Sequence, residues 1–221
     1  MRSKTDEQIH HDVLKELRWD TRVEETEVGV EVDEGVVTLT GTVSSYAKKL
    51  AALDAAHRVS GVLDVADDIK VQIPGSFTRT DTEIAQAVRE ALEWNVLVPD
   101  QQIRSTVANG WVTLTGALTY LSEREDAEKA IRDLRGVSGV TNKLVVNPVK
   151  VASNDIKFVI EDALERRADR EADRIDVKVN DGTVTLAGLI NSWEEKRAIV
   201  GAVSHAPGVV LVKDHLTISP I

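Results

Sequence analysis

Histidine, serine and paired carboxylate side chains are the groups with which this 221-residue sequence could carry out acid–base, nucleophilic or metal chemistry. His10 and His11 are neighbours on a predicted helix and point about 100° apart, so they do not share a metal as an i, i+4 pair does. Ser204 stands beside a histidine but lacks the glycine-flanked turn of a nucleophile elbow. Asp67 and Asp68 are adjacent on a predicted strand and therefore point to opposite faces. The pattern predicts a protein that is not an enzyme, with no catalytic residue, no cofactor and no bound metal.

Basic side chains recur early in a helix that the sequence predicts three times. They are Lys49, Arg124 and Lys196, with Arg197 beside the last of them. At a membrane surface such cations bind anionic phospholipid headgroups, each contact contributing about 1 kcal/mol. In the alternative interpretation they lie on a solvated helix face and pair with neighbouring carboxylates, which are Glu123, Glu125 and Glu194. The first interpretation makes these cations a candidate lipid- or partner-binding site, whereas the second gives them no ligand.

Tryptophans form a second group of candidate contact residues. Trp94 begins the most apolar loop of the chain, which includes Leu97, and Trp19 with Val23 forms a less apolar version. A tryptophan beside aliphatic residues can insert into a lipid interface or a partner's surface. The alternative is that Trp94 covers the open end of its own core or packs between units. Trp111 is predicted on the uncovered face of a sheet, where we expect contact between units.

The elements that position these residues follow from a segment that occurs three times. Residues 35–41, 110–116 and 182–188 share a glycine at each end and a Val-Thr-Leu sequence between them. Their closing glycines, 75 and 72 residues apart, are Gly41, Gly116 and Gly188. Such a spacing predicts tandem domain-sized units. We place three of them, at residues 1–75, 76–148 and 149–221.

Each unit opens with a predicted helix, called helix A here, whose apolar residues recur at i, i+4 and i+8. In unit one these residues are Ile9, Val13 and Leu17. Residues that can cap the helix precede them in every unit, namely Thr5 and Asp6, Thr80 and Asp81, and Ser153 and Asn154. A strand with alternating valines follows and reverses at a turn that ends in glycine, which predicts a hairpin.

A second helix, helix B, connects strand two to strand three. This crossover predicts that strand three lies parallel to strand two. The glycine that closes the repeated segment is predicted to leave room for helix B where it passes close over the sheet. Each unit therefore has the order α-β-β-α-β, and the predicted class is α+β, with a three-stranded mixed sheet and two helices on one face.

Composition and charge limit the function classes. Hydrophobic residues make up 42% and charged residues 29% of the chain, which is typical of a folded globular protein. The net charge is −10 and each unit is net negative, so general nucleic-acid binding is excluded. The chain contains no cysteine, and residues 1–14 contain no apolar stretch of the kind found in a secretory signal. We expect a cytoplasmic location, or a periplasmic one if a signal has been removed.

The repeated motifs resemble the BON domain, named for bacterial osmotically inducible and nodulation proteins, and the resemblance covers nearly the whole chain. It rests on the turn glycine, the Thr-Leu-x-Gly strand, the alanine-rich helix B and the Gly-Val that opens strand three. The resemblance implies a non-enzymatic module of bacterial envelope and stress-related proteins that attaches to phospholipid membranes or to other proteins. Unit three departs from the pattern, with Arg166 where the other units have Trp19 and Trp94.

We therefore predict a bacterial binding or scaffold protein of tandem BON domains that associates with anionic phospholipid membrane surfaces in osmotic or envelope stress. The alternative is a protein–protein interaction array without lipid contact, which would use the sheet faces and the Trp94 loop. A cation sensor that uses the acidic surface is a third hypothesis. The predicted partners are a phospholipid surface or other proteins, and the oligomeric state stays open.

Overall fold

A computed structural model describes residues 4–75, 78–148, 151–167 and 175–218, with only the backbone for residues 165–167. Its helices are α1 (Asp6–Trp19), α2 (Tyr46–His57), α3 (Asp81–Trp94), α4 (Leu121–Ile131), α5 (Ser153–Arg167) and α6 (Trp193–Ser204). Its strands are β1 (Val28–Asp33), β2 (Val36–Val43), β3 (Asp64–Val71), β4 (Ile103–Ala108), β5 (Trp111–Leu118), β6 (Gly139–Val146), β7 (Ile175–Asn180), β8 (Thr183–Ile190) and β9 (Leu211–Ile218). The predicted unit boundaries adjoin residues 76–77 and 149–150, which lie outside the described residues, as does the side chain of Arg166.

Each unit forms its own three-stranded sheet, with the second strand in the centre. In unit one β1 pairs antiparallel with β2, and β3 pairs parallel with β2. Units two and three repeat both pairings in the same register. Among the described residues no sheet crosses from one unit to the next. The predicted α+β class, the mixed sheet and the parallel crossover are confirmed.

One face of each sheet carries the core. In β2 the residues Val37, Leu39 and Val43 are buried, whereas Val36 and Thr40 on the opposite face are exposed. Helix A and helix B both cover the buried face, and in unit one they contribute the buried residues Ile9, Val13, Leu17, Ala51, Ala52, Ala55 and Ala56. Full burial of a Val or Leu side chain contributes roughly 1.5–3 kcal/mol, so this face provides most of the stability of a unit.

The glycine that closes the repeated segment has a different neighbour from the one predicted. Gly41 has φ +129°, and a Cβ built on it would collide with the carbonyl oxygen of Glu27, just before β1. Gly116 has the same environment, with the carbonyl of Gln102 in that place. The prediction that helix B passes over this glycine is therefore wrong. The close group is the backbone that enters the neighbouring strand, and the backbone conformation also favours glycine.

A carboxylate at the start of helix A ties this helix to the hairpin turn. The two oxygens of Asp6 accept hydrogen bonds from the N–H groups of Glu34 and Gly35 at 3.0 and 2.9 Å. Asp81 makes the same pair of bonds in unit two, at 2.8 and 2.9 Å. These N–H groups are turned outward because both turn residues have positive φ, as the turn prediction required. We call this pair of bonds the turn clamp.

Among the residues that the structure describes, unit three shows neither the turn clamp nor a side-chain cap on helix A. Its helix A begins at Ser153, which occupies the position of Asp81, so Ala152 stands where Thr80 caps the helix in unit two. The predicted cap at Ser153 and Asn154 is thus wrong by one residue. Alanine offers no side-chain oxygen to the free N–H groups of the first turn.

The three copies of helix B meet, and the first residue of each helix makes the contact. Tyr46 packs against the core of unit two, and Leu121 is buried in the core of unit three. Trp193 stacks on His57 of unit one, with ring centroids 4.2 Å apart and an interplanar angle of 31°. Unit one thus contacts unit two, unit two contacts unit three and unit three contacts unit one. We call this arrangement the ring.

The receiving position in the ring repeats as well. His57, Arg132 and Ser204 have the same spacing of 75 and 72 residues as the three contacting residues. Burial and the nearby Glu128 carboxylate raise the pKa of Tyr46, which lies close to Arg132. Ser204 is buried although it is polar. The three contacts therefore run head to tail, and the contact of unit three with unit one closes the ring.

The turn clamp predicts opposite effects of two reciprocal substitutions. Asp81→Ser removes both acceptors in unit two and should lower the free energy of unfolding by about 1–2 kcal/mol. Ser153→Asp supplies the missing carboxylate and should stabilise unit three by about 1 kcal/mol. Urea unfolding followed by circular dichroism measures both, and amide exchange of Asp181 and Gly182 should slow in the Ser153→Asp variant.

The matched control is Asp68→Ser, which removes a carboxylate from the exposed edge of β3 and should change stability by less than about 0.5 kcal/mol. Equal effects of Asp81→Ser and Asp68→Ser would show that the clamp does not stabilise the unit.

Candidate functional site

The first predicted cation of helix B binds its own unit. The Nζ atom of Lys49 lies 2.9 Å from a carboxylate oxygen of Asp67 and donates to the carbonyl oxygen of Ile69 at 2.8 Å. Its side chain is 19% exposed. Lys49 therefore fastens helix B to strand three, and little of its charge reaches the surface.

Units two and three make the equivalent contact between helix B and strand three, and the residue types differ in unit two. Lys196 lies 2.9 Å from a carboxylate oxygen of Asp214 and donates to the carbonyl oxygen of Leu216. In unit two the guanidinium of Arg124 donates to the carbonyl oxygen of Asn142 at 3.3 Å, and the Asn142 amide donates back to the carbonyl of Arg124 at 2.9 Å. A neutral amide thus replaces the carboxylate where Arg replaces Lys. The recurrence of these cations has a structural cause.

The partners that the alternative interpretation assigned to these cations are wrong. Glu123 instead accepts hydrogen bonds from the N–H groups of Thr119 and Tyr120, where it caps α4. The row of cations faces strand three because helix B lies over that edge of the sheet. Arg197 points elsewhere and binds Asp54 of unit one at 2.9 Å, with both side chains partly exposed.

The loop after α3 forms an apolar projection, here called the unit-two tip. Trp94, Val96 and Leu97 are 86%, 97% and 64% exposed. The loop is held from below, because Val98 is buried and the side-chain oxygen of Asn95 accepts from the N–H of Leu97 at 3.1 Å. The interpretation that Trp94 covers its own core is therefore wrong. Three large apolar side chains project into solvent from a fixed base.

The same position of unit one carries Trp19, which is 83% exposed and forms the unit-one tip. Behind it the buried carboxylate of Asp20 accepts hydrogen bonds from the guanidinium groups of Arg22 and Arg58 at 2.7 and 2.9 Å. These bonds, chiefly the one from Arg22, hold the pKa of Asp20 well below its usual range. Val23 is buried next to this network. The unit-one tip is thus a single tryptophan on a charged base.

Trp111 lies on the uncovered face of the second sheet, as predicted, and is 49% exposed. Its indole N–H donates to the hydroxyl of Thr141 at 2.8 Å, and its ring lies against Gly139. We expected units to meet through this face. The contacts between units that the structure describes run through helix B instead, so the expectation for Trp111 is wrong.

Within the described ranges, no three His, Asp or Glu side chains converge in a way that could hold a metal ion. None of the helices in that same part of the chain combines the length and the apolar character that crossing a bilayer requires.

The sequence matches the model of the BON domain three times, at residues 5–73, 80–148 and 152–220. This protein belongs to the BON domain family. The matches include all the described helices and strands, and the predicted resemblance is confirmed as three tandem copies.

The chain is also similar to individual proteins of known name. It is 29% identical over 126 residues to osmotically-inducible protein Y of Escherichia coli strain K12, which covers 55% of this chain and 63% of that protein. The alignment therefore spans less than two thirds of that relative's length. CdsD, a structural protein of the type III secretion system of Chlamydia trachomatis, is 18% identical, with 96% of this chain and 92% of that chain covered. The TM-score of the match to CdsD is 0.28.

The residues that join the BON domains were missed as contact residues in the sequence. Tyr46, Leu121 and Trp193 are the first apolar residues of helix B in the three domains, and none of them was predicted to join domains. A signal was nevertheless present. At this position the side chain is large in every domain, whereas the helix positions that face the sheet are mostly small.

The fastening of helix B predicts a cost for removing its cation. Lys49→Met leaves the Asp67 carboxylate and the Ile69 carbonyl without their donor, so the free energy of unfolding should fall by about 1–3 kcal/mol. Lys70→Met, on the exposed side of β3, is the control and should change it by less than about 0.5 kcal/mol. Urea unfolding measures both. An unchanged stability of Lys49→Met would show that Lys49 does not stabilise its unit and would make it a candidate surface cation again.

Proposed function

We propose that this chain is a non-enzymatic binding protein that attaches to phospholipid surfaces through the two tips. The observation that supports this function is the exposure of Trp19 and Trp94, at 83% and 86%, in a protein with only four tryptophans. Large apolar side chains that project together are rarely left in water without a partner. Tryptophan is favoured at lipid interfaces because its ring is apolar and its N–H can remain hydrated.

The two tips occupy equivalent positions in consecutive units, each at the end of or directly after helix A. Full burial of an aliphatic side chain such as Leu97 contributes roughly 1.5–3 kcal/mol. Simultaneous contact by both tips would add their contributions without a second association cost.

Charge favours apolar insertion over attraction to anionic headgroups. The chain has a net charge of −10, and Lys49 and Lys196 are already paired with carboxylates. A protein of this charge is repelled by an anionic surface at long range. We therefore propose binding that neutral phospholipid supports and that added salt does not weaken. The anionic surface predicted from the sequence is the competing expectation.

The similarity to osmotically-inducible protein Y supports a role in the response to osmotic stress. In this proposal the protein accumulates when its source cells are shifted to high osmolarity, which immunoblotting tests. Cell fractionation in the same experiment tests the predicted cytoplasmic location against the periplasmic one.

Vesicle binding tests the tips directly. Pelleting with neutral phosphatidylcholine vesicles should be lost stepwise in Trp94→Ala and in Trp19→Ala with Trp94→Ala. Each substitution should weaken partitioning about tenfold, because it removes at least about 1.4 kcal/mol of apolar burial. Trp fluorescence should shift to shorter wavelength on binding by the wild-type chain.

The matched control is Phe158→Ala, which removes an exposed aromatic ring from α5, in the unit that carries neither tip. It should pellet like wild type. Binding only to vesicles that contain anionic lipid, with loss at high salt, would favour the cations over the tips. No pelleting with either vesicle would eliminate lipid binding.

A protein-interaction array is the second candidate, and the uncovered sheet faces favour it. Trp111, Val145 and Leu189 are all exposed on the outer faces of the second and third sheets. In this case Trp111→Lys and Leu189→Lys should abolish cross-linking to a partner protein in the source cells and leave vesicle pelleting unchanged. Unaltered cross-links in both variants would remove the sheet faces from the proposal.

A further inference from the structure

The contact that closes the ring joins unit three to unit one. It consists of the stack of Trp193 on His57 and the ion pair between Arg197 and Asp54, and we call these four residues the seam. The ion pair has both side chains partly exposed, at 47% and 39%. Exposed pairs of this kind are weak and are screened by salt.

The other two contacts are supported covalently. Units one and two, and units two and three, are consecutive in the chain, so neither pair can separate far. The contact between units two and three also includes Leu121 and Val146, which are buried in the core of unit three. The seam instead joins distant parts of the chain, since Asp54 and Arg197 are separated by 143 residues.

We propose that the seam is a latch that opens reversibly on mild acidification, converting the closed ring into an open arc that exposes Trp193 and the His57 end of helix B. A ring stack and an exposed ion pair together favour the closed form by a factor on the order of ten. The open form is then a minor population, and the titration of a single group can raise this population severalfold.

The unpaired N–H of Trp193 offsets part of the stability that its ring stack gives the closed form. Its Nε1–H is buried and has no acceptor among the described residues. The Nζ atom of Lys196 lies 4.7 Å from the centre of the ring, and a cation cannot accept this proton. In the open form the indole N–H of Trp193 can donate a hydrogen bond to water. This hydrogen bond is absent in the closed form.

His57 gives the latch its dependence on pH. Burial and the positive charges of Arg197 and Lys196 lower the pKa of His57, whereas Asp54 and Asp64 act in the opposite direction without reversing the effect. In the open form we expect the ordinary histidine value of about 6.5. The neutral ring of the closed form is therefore fully favoured above about pH 6.5, and this advantage is lost as the pH falls below it. One titrating group raises the opening constant by at most about tenfold per pH unit.

Single-molecule energy transfer measures the open population, and the absence of native cysteine permits site-specific dyes. Cysteines replace the exposed residues Ser60 of unit one and Lys213 of unit three. In the wild-type background the low-transfer population should rise about three- to fivefold from pH 7.5 to pH 5.5. In His57→Gln this pH response should be absent, and in Trp193→Ala the low-transfer population should be about fivefold larger at pH 7.5.

His215→Gln is the control, because this histidine lies exposed on β9 and should leave the pH response unchanged. Far-ultraviolet circular dichroism at both pH values separates opening from unfolding. If Trp193→Ala fails to fold, Arg197→Glu replaces the ion pair with a repulsion and should also enlarge the open population. A wild-type population that does not change with pH, or an equal response in His57→Gln, would overturn the proposal.

Discussion

Each three-stranded sheet is covered by helices on one face only, and the described structure depends on how the outward side of those helices is buried. Two helices are enough to bury the inner residues of the central strand, but they leave the outward side of helix B in water. Units of about 70 residues have little apolar area to spare, so an uncovered helix face would cost stability that they cannot easily lose. The neighbouring unit covers this side through Tyr46, Leu121 or Trp193.

Local rules were enough to predict the units. The alternating valines, the turn glycines and the i, i+4 stripe each determine a local structure, and their threefold recurrence made the prediction consistent. The errors concern groups whose partners are distant in sequence. Gly41 meets the carbonyl of Glu27 and Lys49 meets Asp67, and neither pairing follows from spacing along the chain. The cap of unit three was misplaced because Ser153 is a good capping residue in the wrong position.

Only part of the candidate site could be predicted from the sequence, for the same reason. An apolar loop after a helix is visible in the sequence, so Trp94 and Leu97 were identified, but their exposure depends on how Val98 and Asn95 anchor the loop. The repeated cations looked equally functional in the sequence. Their repetition reflects a contact that each unit needs for its own stability, and this distinction requires the three-dimensional position of strand three. A residue type that repeats within a chain is therefore better evidence of a role in folding than of a role in binding.

The closed ring also distinguishes this arrangement from a linear array. Linear repeat proteins can gain or lose a module, because each new module finds the same free end. Here the third domain meets the first, so the three domains leave no equivalent helix B contact unfilled. A fourth copy inserted by gene duplication would have no acceptor for its helix and would disrupt an existing contact. The architecture therefore resists growth by duplication, although duplication created it.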